Sequence, residues 1–442
     1  MTKKLIITGA GVDRSKGIDF PLANTLLGEI AIYLQTDEGK EIDQKLRKIL
    51  PNLKFSFNNM IKNAVDKIVA RDTHEQKEMV SRVQNAIKGL DKTDRVYKHG
   101  KLIINLFNKL SVIADENQLD NETEELIKEV FPKEANELID CDTILDIQKL
   151  SLSDTFKTVM KMTLREGLTS KSNVVAEALS SDMLNIEILL IEKFLGFYNN
   201  KMADIKNYIY ISWVLWAYLI HKQNEVFANN SSLPFYSKLP SNIKAITLNY
   251  TSFLQKQLGK ENVICFHGGL FEYVRMDTRN LLPISNTNFD VLKFFNKTLA
   301  SNTDVSNEDF NKQKYTIPSL VPPLRLKPVL SHKYIELWSK ASQWIENAEH
   351  IIVIGYSFNT ADEHFNDILR NLHSGKKIDI IVPEASCDYF KERIEKIFKV
   401  PANQFDQVDI QGEDAYQSGN IRLIPAKATD INIEELLNDY EQ

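Results

Sequence analysis

The sequence predicts an α/β protein in which a parallel sheet is interrupted by a large helical insertion. Three observations carry this. Short apolar runs lie at both ends of the 442-residue chain. Those in the C-terminal half alternate with helix-period segments, the arrangement that yields a parallel sheet with crossover helices. Between residues 25 and 241 glycine and proline become rare, while Leu, Ile, Lys and Glu recur at helical spacing. Several of the apolar runs end on Gly, Asn, His or Ser, and in an open α/β sheet ligands bind outside the carboxyl ends of the strands. Residues 1–24 plus 242–442 then form one discontinuous Rossmann-like domain, and 25–241 is the helical insertion.

Lys4–Thr8 is the first strand, followed at once by Gly9-Ala10-Gly11 and the entry to a helix. Within the insertion, three sets of apolar residues follow a 3.6-residue period: Ile61, Val65, Ile68 and Val69; Ile103, Leu106, Leu110 and Val112; Leu184, Ile188, Ile191, Phe194 and Leu195. Asp120–Glu137 reads as an acidic exposed helix. Tyr208–His221, apolar nearly all round, reads as a helix buried among others. Beyond Asn242 the strands are Lys244–Leu248, Asn262–Phe266, His350–Ile354, Lys377–Val382 and Ile421–Ile424. Helices fill Tyr334–Asn347, Ala361–His373 and Cys387–Phe398. From Gly269 to Pro328 the pattern is irregular, with a polar stretch Ser301–Gln313 and a Pro322-Pro323 pair. This stretch reads as a loop region over the strand ends.

Composition narrows the function classes. A formal net charge of −6 supplies no global basic field, so direct nucleic-acid binding is not expected. Cys141, Cys265 and Cys387 are widely spaced, and without a CxxC pair they indicate neither a zinc ribbon nor a disulfide framework. The apolar stretch Tyr208–Ile220 is too short to span a bilayer. The opening apolar run is too short for a secretory leader. A cytoplasmic protein without membrane contact is the expectation.

The motifs at the strand ends carry the chemistry. Gly9-Ala10-Gly11 fits a phosphate-cradling turn, or a plain tight turn, since Arg14 stands where the third glycine of a dinucleotide fingerprint belongs. Gly17-Ile18-Asp19-Phe20-Pro21 extends that loop. Asn249 can orient a water or a sugar hydroxyl, or cap the helix that follows. His267, before Gly268 and Gly269, can move a proton or sit satisfied in the core. Gly355-Tyr356-Ser357 with Asp362 can meet a ribose or phosphate, or begin a helix. An esterase reading fails, because a nucleophile elbow at Ser357 needs glycine at position 359, which is Asn359.

In this order and spacing, the motifs resemble those of the sirtuin-like superfamily. Gly9-Ala10-Gly11 with Gly17-Ile18-Asp19-Phe20 is similar to its opening signature. Thr247-Leu248-Asn249-Tyr250 resembles its TQN segment, His267-Gly268 its HG pair, and Ile354-Gly355-Tyr356-Ser357 its late nucleotide loop. Gly355-Tyr356-Ser357-Phe358 with Asp362 and Phe365 is most like bacterial antiphage-defence members. The resemblance covers about 1–24 and 242–430. The chain departs from the family at three positions: Asp13 for a serine, Pro21 for an arginine, and Thr251 for an aspartate. It also lacks the four-cysteine zinc module of protein deacylases.

The resemblance implies an NAD⁺ hydrolase that cleaves the nicotinamide–ribose bond, acts in abortive infection and requires no metal. Under it, Gly9, Ala10 and Gly11 hold the pyrophosphate, Asp19 contacts the nicotinamide region, and Phe20 belongs to the cofactor-binding set. Asn249 orients the ribose and the attacking water, and His267, beside Gly268, is the general base. Gly355, Tyr356, Ser357 and Asp362 hold the adenosine side. Relatives of this type assemble as homo-oligomers or pair with a HerA-type hexameric ATPase or an Argonaute. The helical insertion would form such an interface. The competing classes are a non-catalytic NAD⁺ or ADP-ribose sensor and an NAD-dependent protein deacylase.

Overall fold

A computed structural model of the chain describes residues 4–70, 73–112, 120–131, 152–169, 172–184, 186–195, 202–230, 232–284, 290–296, 315–321 and 329–438. Two compact units emerge, one comprising Met1–Leu22, Asp37–Leu53 and Leu190–Gln442, the other Ala23–Thr36 and Lys54–Leu189.

Among its described residues the first unit has eleven strands: β1 (Lys4–Thr8), β2 (Lys244–Thr247), β3 (Val263–Cys265), β4 (Gly268–Arg275), β5 (Leu281–Pro283), β6 (Thr316–Leu320), β7 (His350–Ile354), β8 (Lys377–Ile381), β9 (Asp406–Ile410), β10 (Glu413–Ser418) and β11 (Ile421–Ile424). Eight form one sheet in the order β3-β2-β1-β7-β8-β11-β10-β9. The pairings from β3 to β11 are all parallel. The chain lays down β1, β2 and β3 in one direction, then returns to the far side of β1 for β7, β8 and β11. This is the order of a doubly wound Rossmann-like sheet, and the direction reverses between β1 and β7. The central strands are buried on both faces, so they read as continuous Ile, Leu and Val runs.

Every strand and helix expected in the C-terminal half is present, with ends shifted by a residue or two. Two groups of strands were not anticipated. β9 and β10 form an antiparallel edge hairpin. Apart from Ile410 and Ala415 their residues are half-buried or exposed, which weakens the hydrophobic signal, and the turn uses positive φ at Gln411 and Gly412 (55° and 82°). The stretch taken for loop contains a second, antiparallel sheet of order β5-β4-β6. Pro318 inside β6 and the three-residue length of β5 hide it from a pattern search. Residues Ser301–Gln313 and Pro322-Pro323 lie outside the described residues.

The helix Met202–Asn229 belongs with these sheets. It is buried almost all round from Tyr208 to Ile220, as the sequence indicated. Trp213 Nε1 donates to Thr316 O (2.8 Å) and Trp216 Nε1 to Leu270 O (2.7 Å), so the indoles bind the backbone of β6 and β4. Tyr210 donates to Asp43 on the helix Asp37–Ile49, and His221 lies 2.9 Å from Glu38. The return to the sheet unit therefore falls near residue 190 rather than 242, and 37–53 joins it too. Helical periodicity marks a helix without stating which core it enters.

The second unit is helical. Ile61, Val65 and Ile68 are buried along one stripe of Phe57–Val69. Asp120 caps the acidic helix, accepting from Thr123 N, but the helix is described only over Asn121–Val130. His99 is a core histidine here. Asn173 Nδ2 donates to its Nδ1 and its Nε2 donates to Thr163 Oγ1, both 2.8 Å, and burial pulls its basicity down to about 4. Among the described residues no helix is long and apolar enough to cross a membrane.

Gly268 fixes how β4 leaves the end of β3. Its φ is +82°, and a Cβ there would meet Ser319 O at 1.9 Å and Tyr334 Oη at 2.6 Å. Gly268→Ala is expected to destabilise the protein by about 2–4 kcal/mol through strain and overpacking. Gly269→Ala, whose Cβ would have neighbours only at 3.9 Å and beyond, should change little. Urea unfolding of the two variants measures the contrast.

Candidate functional site

The carboxyl ends of β3, β2, β1 and β7 lie side by side, and each carries one of the motifs. The turn after β1 and the loop after β7 touch backbone to backbone. Gly9 N donates to Ile354 O and Gly11 N to Gly355 O, both 2.9 Å. A Cβ on Gly9 would stand 2.6 Å from Gly355 O, and one on Gly11 2.8 Å from Gly355 Cα. Gly355 has φ +63°, and its Cβ would stand 2.5 Å from Val12 N. The three glycines thus serve the contact of two loops, and the amides of Gly9 and Gly11 are already used. Ala10 opens the one-turn helix Ala10–Asp13, and its N–H has no intrahelical acceptor. Of the three residues expected to cradle a phosphate, only Ala10 keeps its N–H outside this loop contact.

Asn249 joins β2 to this turn. Its N–H donates to Thr247 Oγ1 (3.1 Å) and its Nδ2 to Gly9 O (3.0 Å). Among the described residues no donor reaches Asn249 Oδ1. The amide is held by its nitrogen and presents an acceptor. Behind it lies a buried polar cluster that motif reading did not find. Thr251 Oγ1 donates to Asp13 Oδ2 (2.7 Å), and Tyr236 Oη donates to Asp13 Oδ1. Burial raises the Asp13 carboxyl to about 6, against the lowering effect of hydrogen bonds from Tyr236, Thr251 and Asn249. In the sequence Asp13 stood out only as a departure from the sirtuin-like pattern, with nothing to tie it to residue 251 or 236. Tyr236 had no signal, standing in the stretch assigned to the insertion.

His267 sits at the end of β3 with 7 % of its side chain exposed. Its Nδ1 lies 3.1 Å from Leu248 O. A carbonyl only accepts, so Nδ1 carries a proton, and Nε2 is the nitrogen left to gain or lose one. Nε2 lies 3.2 Å from Asp362 Oδ1, at ion-pair distance though off the line of a hydrogen bond. Tyr250 flanks the ring, 6.4 Å between centroids, and its hydroxyl donates to Val321 O (2.7 Å). Val321 N in turn donates to His267 O (2.9 Å).

The structure thus gathers Gly9, Ala10, Gly11, Asn249, His267, Gly355 and Asp362. Other expected contacts fall elsewhere. Phe20 is core, edge-on to Phe253 at 5.6 Å. Asp19 is exposed at φ +50°, and its Oδ2 accepts from Gly17 N (3.0 Å), closing its own turn. Tyr356 is buried and donates to Asn366 Oδ1 (2.7 Å). Ser357 is exposed, with its carbonyl accepting from Arg393 Nη1 (3.1 Å). Gly268 is a spacing residue of β4. Asp362, expected beside an adenosine, faces the His267 ring.

Chemically, this is an acceptor on Asn249, a proton-transfer group on His267 and one backbone donor at Ala10, around a strand reversal. Among the described residues no group of three or more His, Cys, Asp or Glu is gathered to hold a metal. Cys265 is buried, and burial pushes its thiol up to about 12, which keeps it protonated. No family model matches the chain, and no curated protein matches it.

The buried Asp13 makes stability depend on pH. Its folded value of about 6 lies above the ordinary 3.8, so the native state favours the protonated acid. That contribution is complete below pH 3.8 and is lost as pH rises through about 6. Asp13→Asn removes the ionisation. Its stability relative to the parent should therefore rise by up to about 3 kcal/mol between pH 4 and pH 7. Urea midpoints at the two pH values test this, and a constant difference would refute it.

Proposed function

We propose that this chain is an NAD⁺ hydrolase of the sirtuin-like type, acting in antiphage defence. It would cleave the nicotinamide–ribose bond with water to give nicotinamide, ADP-ribose and a proton. The observation that carries the reading is that Asn249 and His267 follow two adjacent parallel strands, β2 and β3, next to β1, where the sheet reverses direction and a doubly wound fold takes a dinucleotide. The association with further copies or with a HerA-type ATPase that the sequence resemblance implies belongs to the same proposal.

Cleavage of this bond leaves the electron pair on a neutral pyridine and an oxocarbenium-like centre on the ribose. Such a reaction asks for positioning and charge stabilisation more than for strong acid catalysis. Asn249 Oδ1 accepts from a ribose hydroxyl or from the attacking water. His267 Nε2 takes the proton that this water or hydroxyl releases, while Nδ1–H on Leu248 O keeps the ring in that tautomer. Ala10 N–H meets the pyrophosphate at the turn. The Asp13–Thr251–Tyr236 cluster holds Asn249 from behind. A carboxylate therefore remains beside residue 251 although aspartate is absent there, which favours an enzyme over a sensor.

Nicotinamide release from NAD⁺ by the full chain, without acylated peptide, tests the reading. His267→Ala and Asn249→Ala are each expected to lower turnover by about 100-fold or more. Turnover that survives both substitutions would put the reaction elsewhere. Tight NAD⁺ binding without turnover would make the chain a nucleotide sensor.

A further inference from the structure

We propose that Asp362 is a positioning residue that holds the His267 ring in its doubly protonated form and thereby sets the pH above which His267 can act. This deepens the assignment of His267 as the base and rests on it.

Asp362 ends the short turn Thr360–Asp362 and is the N-cap residue of the helix Glu363–Leu372. Aspartate there ordinarily accepts a hydrogen bond from the first turn. Asp362 makes no such cap bond, and its Oδ1 stands 3.2 Å from His267 Nε2. The carboxylate has forgone the local role its position offers.

Both members of the pair are fixed independently. Asn359 Oδ1 accepts from Ala361 N (3.0 Å), Asn366 Nδ2 donates to Asn359 O (2.9 Å), and Tyr356 Oη donates to Asn366 Oδ1 (2.7 Å). This chain of bonds braces the loop that carries Asp362. On the other side, Leu248 O and the Phe266 ring, 5.5 Å from the imidazole, hold His267. Both groups are thus anchored at ion-pair distance from each other.

With a carbonyl at Nδ1 and a carboxylate at Nε2, both ring nitrogens face acceptors. The carboxylate reaches Nε2 at ion-pair distance rather than through a hydrogen bond, and that attraction favours the doubly protonated ring. The other ionisable groups around this corner are Tyr250, Cys265 on β3, Glu272 on β4, Tyr356, Glu363 and His364. Burial holds the Cys265 thiol and the Tyr356 phenol well above their ordinary values, so both are neutral. A proton must leave the pair before Nε2 can accept one from substrate, and the carboxylate raises the pH at which it leaves.

The test uses the full chain with ¹³C-labelled histidine, assigning His267 by the signal lost in His267→Ala. In Asp362→Asn, which keeps size and loses no cap bond, the His267 titration is expected to move down by about one pH unit or more. The acid limb of kcat/KM for NAD⁺ should move with it, and Asp362→Glu should restore both. A His267 titration within 0.2 unit of the parent in Asp362→Asn would overturn the proposal, whatever the activity. A shifted titration with no NAD⁺ turnover in the parent would uphold the pair and count against NAD⁺ hydrolysis alone.

Discussion

The site depends on one close approach, that of the Gly9–Gly11 turn to Gly355. Two backbone segments from opposite ends of the chain meet at a distance no side chain would allow, joined by Gly11 N on Gly355 O at 2.9 Å. The contact lies where the sheet reverses direction. In a doubly wound fold the loops part at that point and leave a crevice. Here the glycines bring the two loops into backbone contact, and the polar side chains of Asn249, His267 and Asp362 stand beside that contact rather than within the turn itself.

A second layer makes this arrangement stiff. Asn249 is tied to Gly9 O, Thr251 and Tyr236 both donate to Asp13, and Gln223 Oε1 accepts from Ser252 N (2.8 Å) and Ser252 Oγ (3.1 Å). Residues far apart in sequence meet behind the Asn249 amide. A buried carboxylate with three donors around it is costly to leave half-satisfied, so the cluster constrains every member at once. Positions 13 and 251 illustrate this. Taken singly, each is a departure from the sirtuin-like pattern. In the fold they touch, and together they supply one carboxylate and one hydroxyl at a single spot.

Much of the sheet was legible because its central strands are buried on both faces and read as unbroken apolar runs. The gathering of Gly9, Asn249, His267 and Gly355 was legible from position alone, since each follows such a run. Three things were not. Exposed edge strands such as β9 carry no hydrophobic pattern. The core that the helix Met202–Asn229 joins depends on contacts its periodicity does not encode. Side-chain direction was also hidden: Phe20 and Tyr356 turn into the core, while Asp362 leaves its cap position for His267. Sequence spacing locates a residue near a strand end, and rotamer and packing decide which way it faces.

Four large polar-tipped side chains share a habit. Trp213, Trp216, Trp338 and Tyr250 all donate to main-chain carbonyls, those of Thr316, Leu270, Phe266 and Val321. A carbonyl is present whatever residue bears it. The partners at 270, 316 and 321 can therefore drift in side chain during evolution without breaking these bonds, whereas the donors cannot. In a diverging lineage, the indoles and the phenol would persist while the small sheet beneath them changed its letters. That asymmetry lets a fold keep its geometry after its sequence has ceased to be recognisable.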